Sequence, residues 1–176
     1  NVSEEPIAYK DEDAKKRLAG IADYFLVHNR EIHCRVDDSV ARIFDQKPYL
    51  LRRSRGYAPA PIAVGKPGPA VLACGGEAKN TFCLTKEAQA FVSPHIGDLE
   101  NQEIFQAYQE TIEHYKRLFD IQPQAVVCDL HPEYLSGKYA AGLDLPLVKV
   151  QHHHAHIASV LAEHGCREKV LGVAFD

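Results

Sequence analysis

The sequence predicts an α/β fold, and three observations carry that prediction. Strand-like apolar runs alternate with helix-period segments from residue 101 to the end; three short apolar runs precede that alternation; and a stretch dense in proline and glycine divides all of this from an N-terminal segment. At 176 residues, with 45% hydrophobic and 25% charged side chains, the chain has the composition of an ordinary globular protein able to bury a core.

Residues 11–30 space Leu18, Ile21, Ala22, Phe25 and Leu26 at helical intervals behind an acidic first turn, which predicts a helix. Residues 31–42 then alternate Ile32, Cys34 and Val36 with polar positions before Asp37-Asp38-Ser39, the pattern of a strand, a turn and a second short strand, and residues 49–53 suit a further strand. Between Gly56 and Pro69, Pro59, Pro61, Gly65, Pro67 and Gly68 break both periodicities, so a domain boundary is expected with a linker over 59–68. Beyond it, residues 70–74, 81–84 and 89–92 read as a three-stranded meander, with a charged turn at Lys86-Glu87.

Residues 101–119 follow with helical spacing of Ile104, Phe105, Tyr108, Ile112 and Tyr115, then a buried-type strand at 125–128. A helix over 134–142, a strand over 147–150, a helix over 152–164 and a strand over 170–175 give the order β-β-β-α-β-α-β-α-β. Such alternation implies parallel connections. Ligand groups in such sheets gather where strands end at their carboxyl edges, and three clusters fall there: Asp129 and His131, the histidine run 152–156, and Asp176.

Composition excludes several function classes. Net charge is −4 and the basic residues are scattered apart from Arg52, Arg53 and Arg55, so a nucleic-acid-coating surface is not expected. Cys34, Cys74, Cys83, Cys128 and Cys166 form no Cys-x-x-Cys pair, and reduced thiols in a cytoplasmic setting are expected. No apolar run is long enough for a membrane span. The chain has no methionine, begins at Asn1 and ends at Asp176 behind an apolar run, so a piece of a larger polypeptide is expected.

Four of ten histidines occupy five positions, His152, His153, His154 and His156. Imidazole is neutral and nitrogen-donating near neutral pH, so this density points to metal coordination or proton transfer. On a helix His152 and His156 share a face, the spacing that brings two imidazoles to one ion. A third ligand is then needed, and either Asp176 or Asp129 can supply it. Elsewhere, the loop from Gly75 to Thr81, with Lys79 and Asn80, is open to two readings, a phosphate contact or a hairpin turn. Arg52 and Arg55 likewise fit an anion clamp or a solvated charge run.

Six linked segments carry a resemblance. His28-Asn29-Arg30-Glu31-Ile32 with Asp37-Asp38-Ser39-Val40, Leu51-Arg52-Arg53-Ser54-Arg55-Gly56-Tyr57, Lys79-Asn80-Thr81-Phe82-Cys83-Leu84, His95-Ile96-Gly97-Asp98-Leu99, Asp129-Leu130-His131-Pro132 and the run 151–156 occur in one order. That order resembles the hydrogenase maturation carbamoyltransferases (HypF) and their antibiotic O-carbamoyltransferase relatives.

The resemblance implies that residues 1–58 are the end of a YrdC-like α/β domain, in which carbamoyl adenylate is made from ATP and carbamoyl phosphate. Asn1 and Ser3 would be the remnant of its nucleotide loop, with Arg52, Arg55, Lys79 and Asn80 as further nucleotide or anion contacts. Residues 69–176 would be the first lobe of a threonylcarbamoyl-transferase-like domain, of the actin and sugar-kinase (ribonuclease H) type.

By the same resemblance His152, His156 and Asp176 would hold iron or zinc, and Asp129, His131, His153 and His154 would be the catalytic or substrate-facing groups. ATP would bring magnesium, and the acceptor would be the C-terminal cysteine of a HypE-like protein. An active site lying between two lobes implies little or no catalysis by this lobe alone. The alternatives are a metal-dependent phosphohydrolase, a small-molecule O-carbamoyltransferase, and a non-enzymatic binding module with structural histidines.

Overall fold

A computed structural model describes residues 6–176, so Asn1 and Ser3 lie outside the described residues. Helix α1 (Asp11–Leu18) opens the described chain, followed by a hairpin of β1 (Val40–Phe44) and β2 (Lys47–Arg52). Next come β3 (Ile62–Gly68), β4 (Val71–Ala73), β5 (Cys83–Val92), α2 (Gln102–Phe119), β6 (Ala125–Asp129), α3 (Leu135–Ala141), β7 (Leu147–Val150) and α4 (His152–Glu163). Five strands form one mixed sheet in the order β3-β5-β4-β6-β7, in which β4, β6 and β7 are mutually parallel and β5 is antiparallel to both β3 and β4. Among the described residues no helix is long and apolar enough to cross a membrane.

The core lies under α2. Asn101 caps this helix, its side-chain oxygen accepting from the amides of Glu103 and Ile104, and Asp120 ends it in the left-handed conformation. Tyr108, Ile112 and Tyr115 share its buried face and join Leu72, Phe82, Leu84, Leu99 and Val126 in one cluster. Phe82 meets both tyrosines edge-on, at ring separations of 6.0 and 5.3 Å. Each such large buried side chain contributes about 1.5–3 kcal/mol.

The elements from residue 101 to 164 match their sequence patterns to within one or two residues. Five expectations are corrected.

The first helix stops at Leu18 instead of running to residue 30. Gly20 follows its end, and the apolar side chains beyond find no cover: Tyr24 is 93% exposed and Leu26 fully so. Residues 31–36 form no strand, and the first strand starts at Val40 and turns through Asp45-Gln46. Both turn residues have positive φ (48° and 60°), the geometry that matches the twist of a two-residue hairpin.

The expected linker stretch contributes β3. Its two ends pair with β5, Ile62 with Ala90 and Gly68 with Glu87, and Gly65 and Pro67 between them sit where the register shifts. The last two runs of the expected meander are one strand, because Lys86-Glu87 makes an irregularity (Glu87 φ 56°) and no reversal. β3 thus takes the outer antiparallel position, and the order through α4 is β-β-β-α-β-α-β-α.

Residues 170–175 stay unpaired. They run along α4 instead, so close that a Cβ at Gly172 would lie 2.7 Å from Ile157.

Candidate metal and transfer site

Parallel register brings three strand ends together. Asp129 at the end of β6 lies beside Val150 at the end of β7, and the amide of Cys74, just past β4, donates to the carbonyl of Val127. The chain leaves these ends as the Gly75-Gly76 loop, the Asp129–Pro132 turn and the start of α4, so their side chains converge on one edge. Gln151 caps α4, its side-chain oxygen accepting from the amide of His154 at 3.2 Å. That cap fixes the first helical turn, on which His152 and His156 stand four residues apart.

His152 is held at both ring nitrogens. Its Nδ1 is 2.8 Å from Oδ2 of Asp129, a carboxylate only 7% exposed. An ionised carboxylate can only accept, so Nδ1 is the atom that donates to Asp129 and Nε2 is the atom turned toward a shared ion. Nε2 lies 3.0 Å from Nε2 of His156 and 3.0 Å from Oδ2 of Asp176, which is itself 3.5 Å from Nε2 of His156. A triangle with these edges has a circumscribed radius of about 1.8 Å, shorter than the ~2.0–2.1 Å of zinc–nitrogen and zinc–oxygen bonds, so one ion can reach all three atoms. Two imidazoles and a carboxylate suit zinc or iron. Asp176, not Asp129, completes the triad, while Asp129 orients it from behind.

Gly76 lines the same corner: a Cβ there would meet Cε1 of His152 at 3.5 Å and Oδ2 of Asp129 at 3.6 Å. Asn80 shapes this loop, its buried Nδ2 donating to the carbonyls of Cys74 (3.0 Å) and Gly76 (2.6 Å). Asn80 thus serves the loop that backs the histidines. Glu77 adds a tie that residue spacing did not reveal, since its Oε2 accepts from the amide of Leu135 at the start of α3, 2.8 Å away.

The remaining candidates are spread more widely. His153 is exposed, and its Nδ1 is 2.9 Å from Nε2 of Gln151; His154 is exposed on the same turn. His131 belongs to the turn after β6, accepting from the amide of Glu133 (3.3 Å) and stacking on Tyr134 with ring centres 4.2 Å apart. Arg55 is tied to Asp38 on the surface at 2.6 Å.

Arg52 and Lys79 do come together, lining a cleft of about 580 Å³ with Arg35, Asp37 and His95. Arg52 is 3.3 Å from Asp37 there. Burial, and then the Arg52 cation, push the His95 imidazole below its usual range. His95 and Asp98, which accepts from the amide of Lys79 at 2.6 Å, lie in the segment His95–Leu99, whose role residue chemistry alone did not reveal. Arg53 organises the loops beside this cleft, donating to the carbonyls of Val92, Tyr57 and Ala60.

Fold and site together define a class: a mixed α/β lobe of ribonuclease H type, with a histidine–aspartate centre at its parallel strand ends, joined to a segment carrying an arginine-lined cleft. Comparison with known proteins narrows the class. The family described as HypF Kae1-like domain matches residues 66–163, and the family described as Telomere recombination, of the Sua5, YciO and YrdC type, matches residues 1–54. Carbamoyltransferase HypF of Synechocystis sp. is 51% identical over 178 residues, covering 100% of this chain and 23% of that protein. Carbamoyltransferase HypF of Rhizobium leguminosarum is 44% identical over 176 residues with the same coverage. A crystal structure of full-length HypF in the phosphate- and nucleotide-bound form superposes with a TM-score of 0.94 at 53% identity, over 100% of this chain and 28% of that one. The chain belongs to the HypF family. It spans about a quarter of the length of the curated relatives it matches.

Proposed function

We propose that this chain is the part of a hydrogenase-maturation carbamoyltransferase in which a carbamoyl group, activated as its adenylate, is passed to a protein thiolate. The supporting observation is the Asp129–His152 pair, which turns one imidazole so that its free nitrogen converges with His156 and Asp176 at the strand ends. Carbamoyl phosphate and ATP, with magnesium, are the sources of the adenylate, and the acceptor is the C-terminal cysteine of a HypE-like partner. The partner's sulfur forms a bond to the carbamoyl carbon while the bond from that carbon to the phosphate oxygen breaks, and AMP leaves with the electron pair.

His152, His156 and Asp176 would hold iron or zinc, which when bound supplies a fixed positive charge beside the developing negative one. Asp129 keeps His152 in the ligating tautomer. His153 and His154, exposed on the same turn, are assigned to substrate contact. Arg52 and Lys79 present cationic groups to phosphate within their shared cleft. The free thiols of all five cysteines suit a reducing cytoplasm.

Carbamoylation of the acceptor cysteine, followed together with carbamoyl-phosphate-dependent exchange of pyrophosphate into ATP on the complete polypeptide carrying this chain, tests the reading. Both are expected. Their absence, with hydrolysis of simple phosphoesters in their place, would favour the metal phosphohydrolase.

A further inference from the structure

We propose that His33, Cys34 and His114 form a second divalent-metal site, of the zinc class, that clamps the segment after α1 onto helix α2. This site is independent of the reading above and shares no residue with the strand-end centre.

The donor atoms come from two distant parts of the chain. His33 and Cys34 sit in residues 31–36, which form no strand and so are not fixed by a hydrogen-bond ladder. His114 stands on α2, 80 positions beyond Cys34 in sequence. One ligand atom from each of the three lies within 4.8 Å of the others. The rings of His33 and His114 are 5.2 Å apart, tilted at 58°. Ligands on a tetrahedral ion lie roughly 3.3–3.6 Å apart, so the donor atoms close by about 1–1.5 Å when an ion binds.

All three residues line a cleft of about 590 Å³ that opens to solvent and includes Glu110. Glu110 precedes His114 by one helical turn on the same face of α2, and water fills the fourth position.

The chemistry of the set selects the ion. One thiolate and two imidazoles favour zinc or cobalt and disfavour magnesium and calcium, which take oxygen donors. Binding removes the Cys34 thiol proton, which passes to solvent as the sulfur–metal bond forms. His33 is exposed and its two partners are half-buried, so an ion can enter without unfolding.

The thiolate gives the site a signature that the strand-end centre, with only nitrogen and oxygen donors, lacks. Cobalt(II) titrated into the full chain is expected to raise a thiolate-to-metal charge-transfer absorption that saturates by two equivalents, the strand-end centre taking the other equivalent without a sulfur band. Cys34→Ser should abolish it, His114→Gln should weaken cobalt binding at least tenfold as read from the same band, and His152→Gln should leave it intact. A missing band, a band that survives Cys34→Ser, or one insensitive to His114→Gln would overturn the proposal. A measurement on the unaltered chain guards against misfolded variants: zinc should slow alkylation of Cys34, read by peptide mass, at least tenfold, and an unchanged rate would equally refute the site.

Discussion

Replacing Asp129 by Asn separates the orienting role of this residue from its bulk. The amide is nearly the same size and can stay in the 7%-exposed corner at the end of β6, so the backbone bond from Leu130 to Val150 should survive. What changes is the partner seen by Nδ1 of His152 at 2.8 Å. An amide oxygen accepts less strongly than a carboxylate, and an amide NH₂ turned toward Nδ1 would move the ring proton to Nε2, the atom that must ligate. Loss of such a partner typically weakens metal affinity by about 10–100-fold, or about 1.4–2.8 kcal/mol. Burial places this case near the upper end, because water cannot enter to replace the carboxylate. Zinc affinity measured by chelator competition at pH 7.5 in a Cys34→Ser background should fall by that factor with the far-ultraviolet circular dichroism unchanged, and His131→Gln should be neutral. An affinity for Asp129→Asn within twofold of the parent would refute the orientation argument.

Other predictions concern the loop behind the histidines and the acid response. Gly75→Ala should destabilise by at least about 2 kcal/mol in urea unfolding, since φ is 74° there and a Cβ would overlap the carbonyl of Thr81. Gly76→Ala, whose Cβ meets only ordinary contacts at 3.5 and 3.6 Å, should change stability by less than about 1 kcal/mol. Asn80→Ala removes two buried hydrogen bonds and should cost about 2 kcal/mol in the same assay while also lowering zinc affinity. His95 and His114 are both held below the ordinary imidazole value of 6.5, chiefly by burial. The unfolded chain therefore takes up protons first, so stability is full above about pH 6.5 and falls as pH drops below it; urea midpoints across pH 5–8 should show this, and His95→Gln should flatten the slope.

Legibility in the sequence followed the range of the interactions involved. Helix α2 and the elements after it could be read because each carries its own period and caps: Asn101 and Gln151 start their helices, and the run at 125–128 is apolar enough to be a buried strand. The region before residue 70 was harder. An amphipathic pattern continues past Gly20, but nothing covers Tyr24 or Leu26, and periodicity cannot report a missing partner surface. β3 was hidden because prolines and glycines normally end strands, whereas here the register shift absorbs them.

Within the site, His152, His156 and Asp176 could be named from spacing and resemblance, and the geometry brings all three together. The division of labour between Asp129 and Asp176 could not, since both are strand-end aspartates and only the register of β6 against β7 puts one of them behind the ring. The loop role of Asn80 was hidden for a related reason: its amide faces the carbonyls of its own loop.

The central claim is that the strand-end triad serves carbamoyl transfer and not adenylate formation. Its most direct test is a paired measurement on the complete polypeptide carrying His152→Ala and His156→Ala, following carbamoyl-phosphate-dependent pyrophosphate exchange and carbamoylation of the acceptor cysteine side by side. Exchange should persist within about threefold while thiol carbamoylation falls by at least about 100-fold, in line with loss of a charge-stabilising centre. Carbamoylation that continues at the parent rate with both histidines gone would contradict the account.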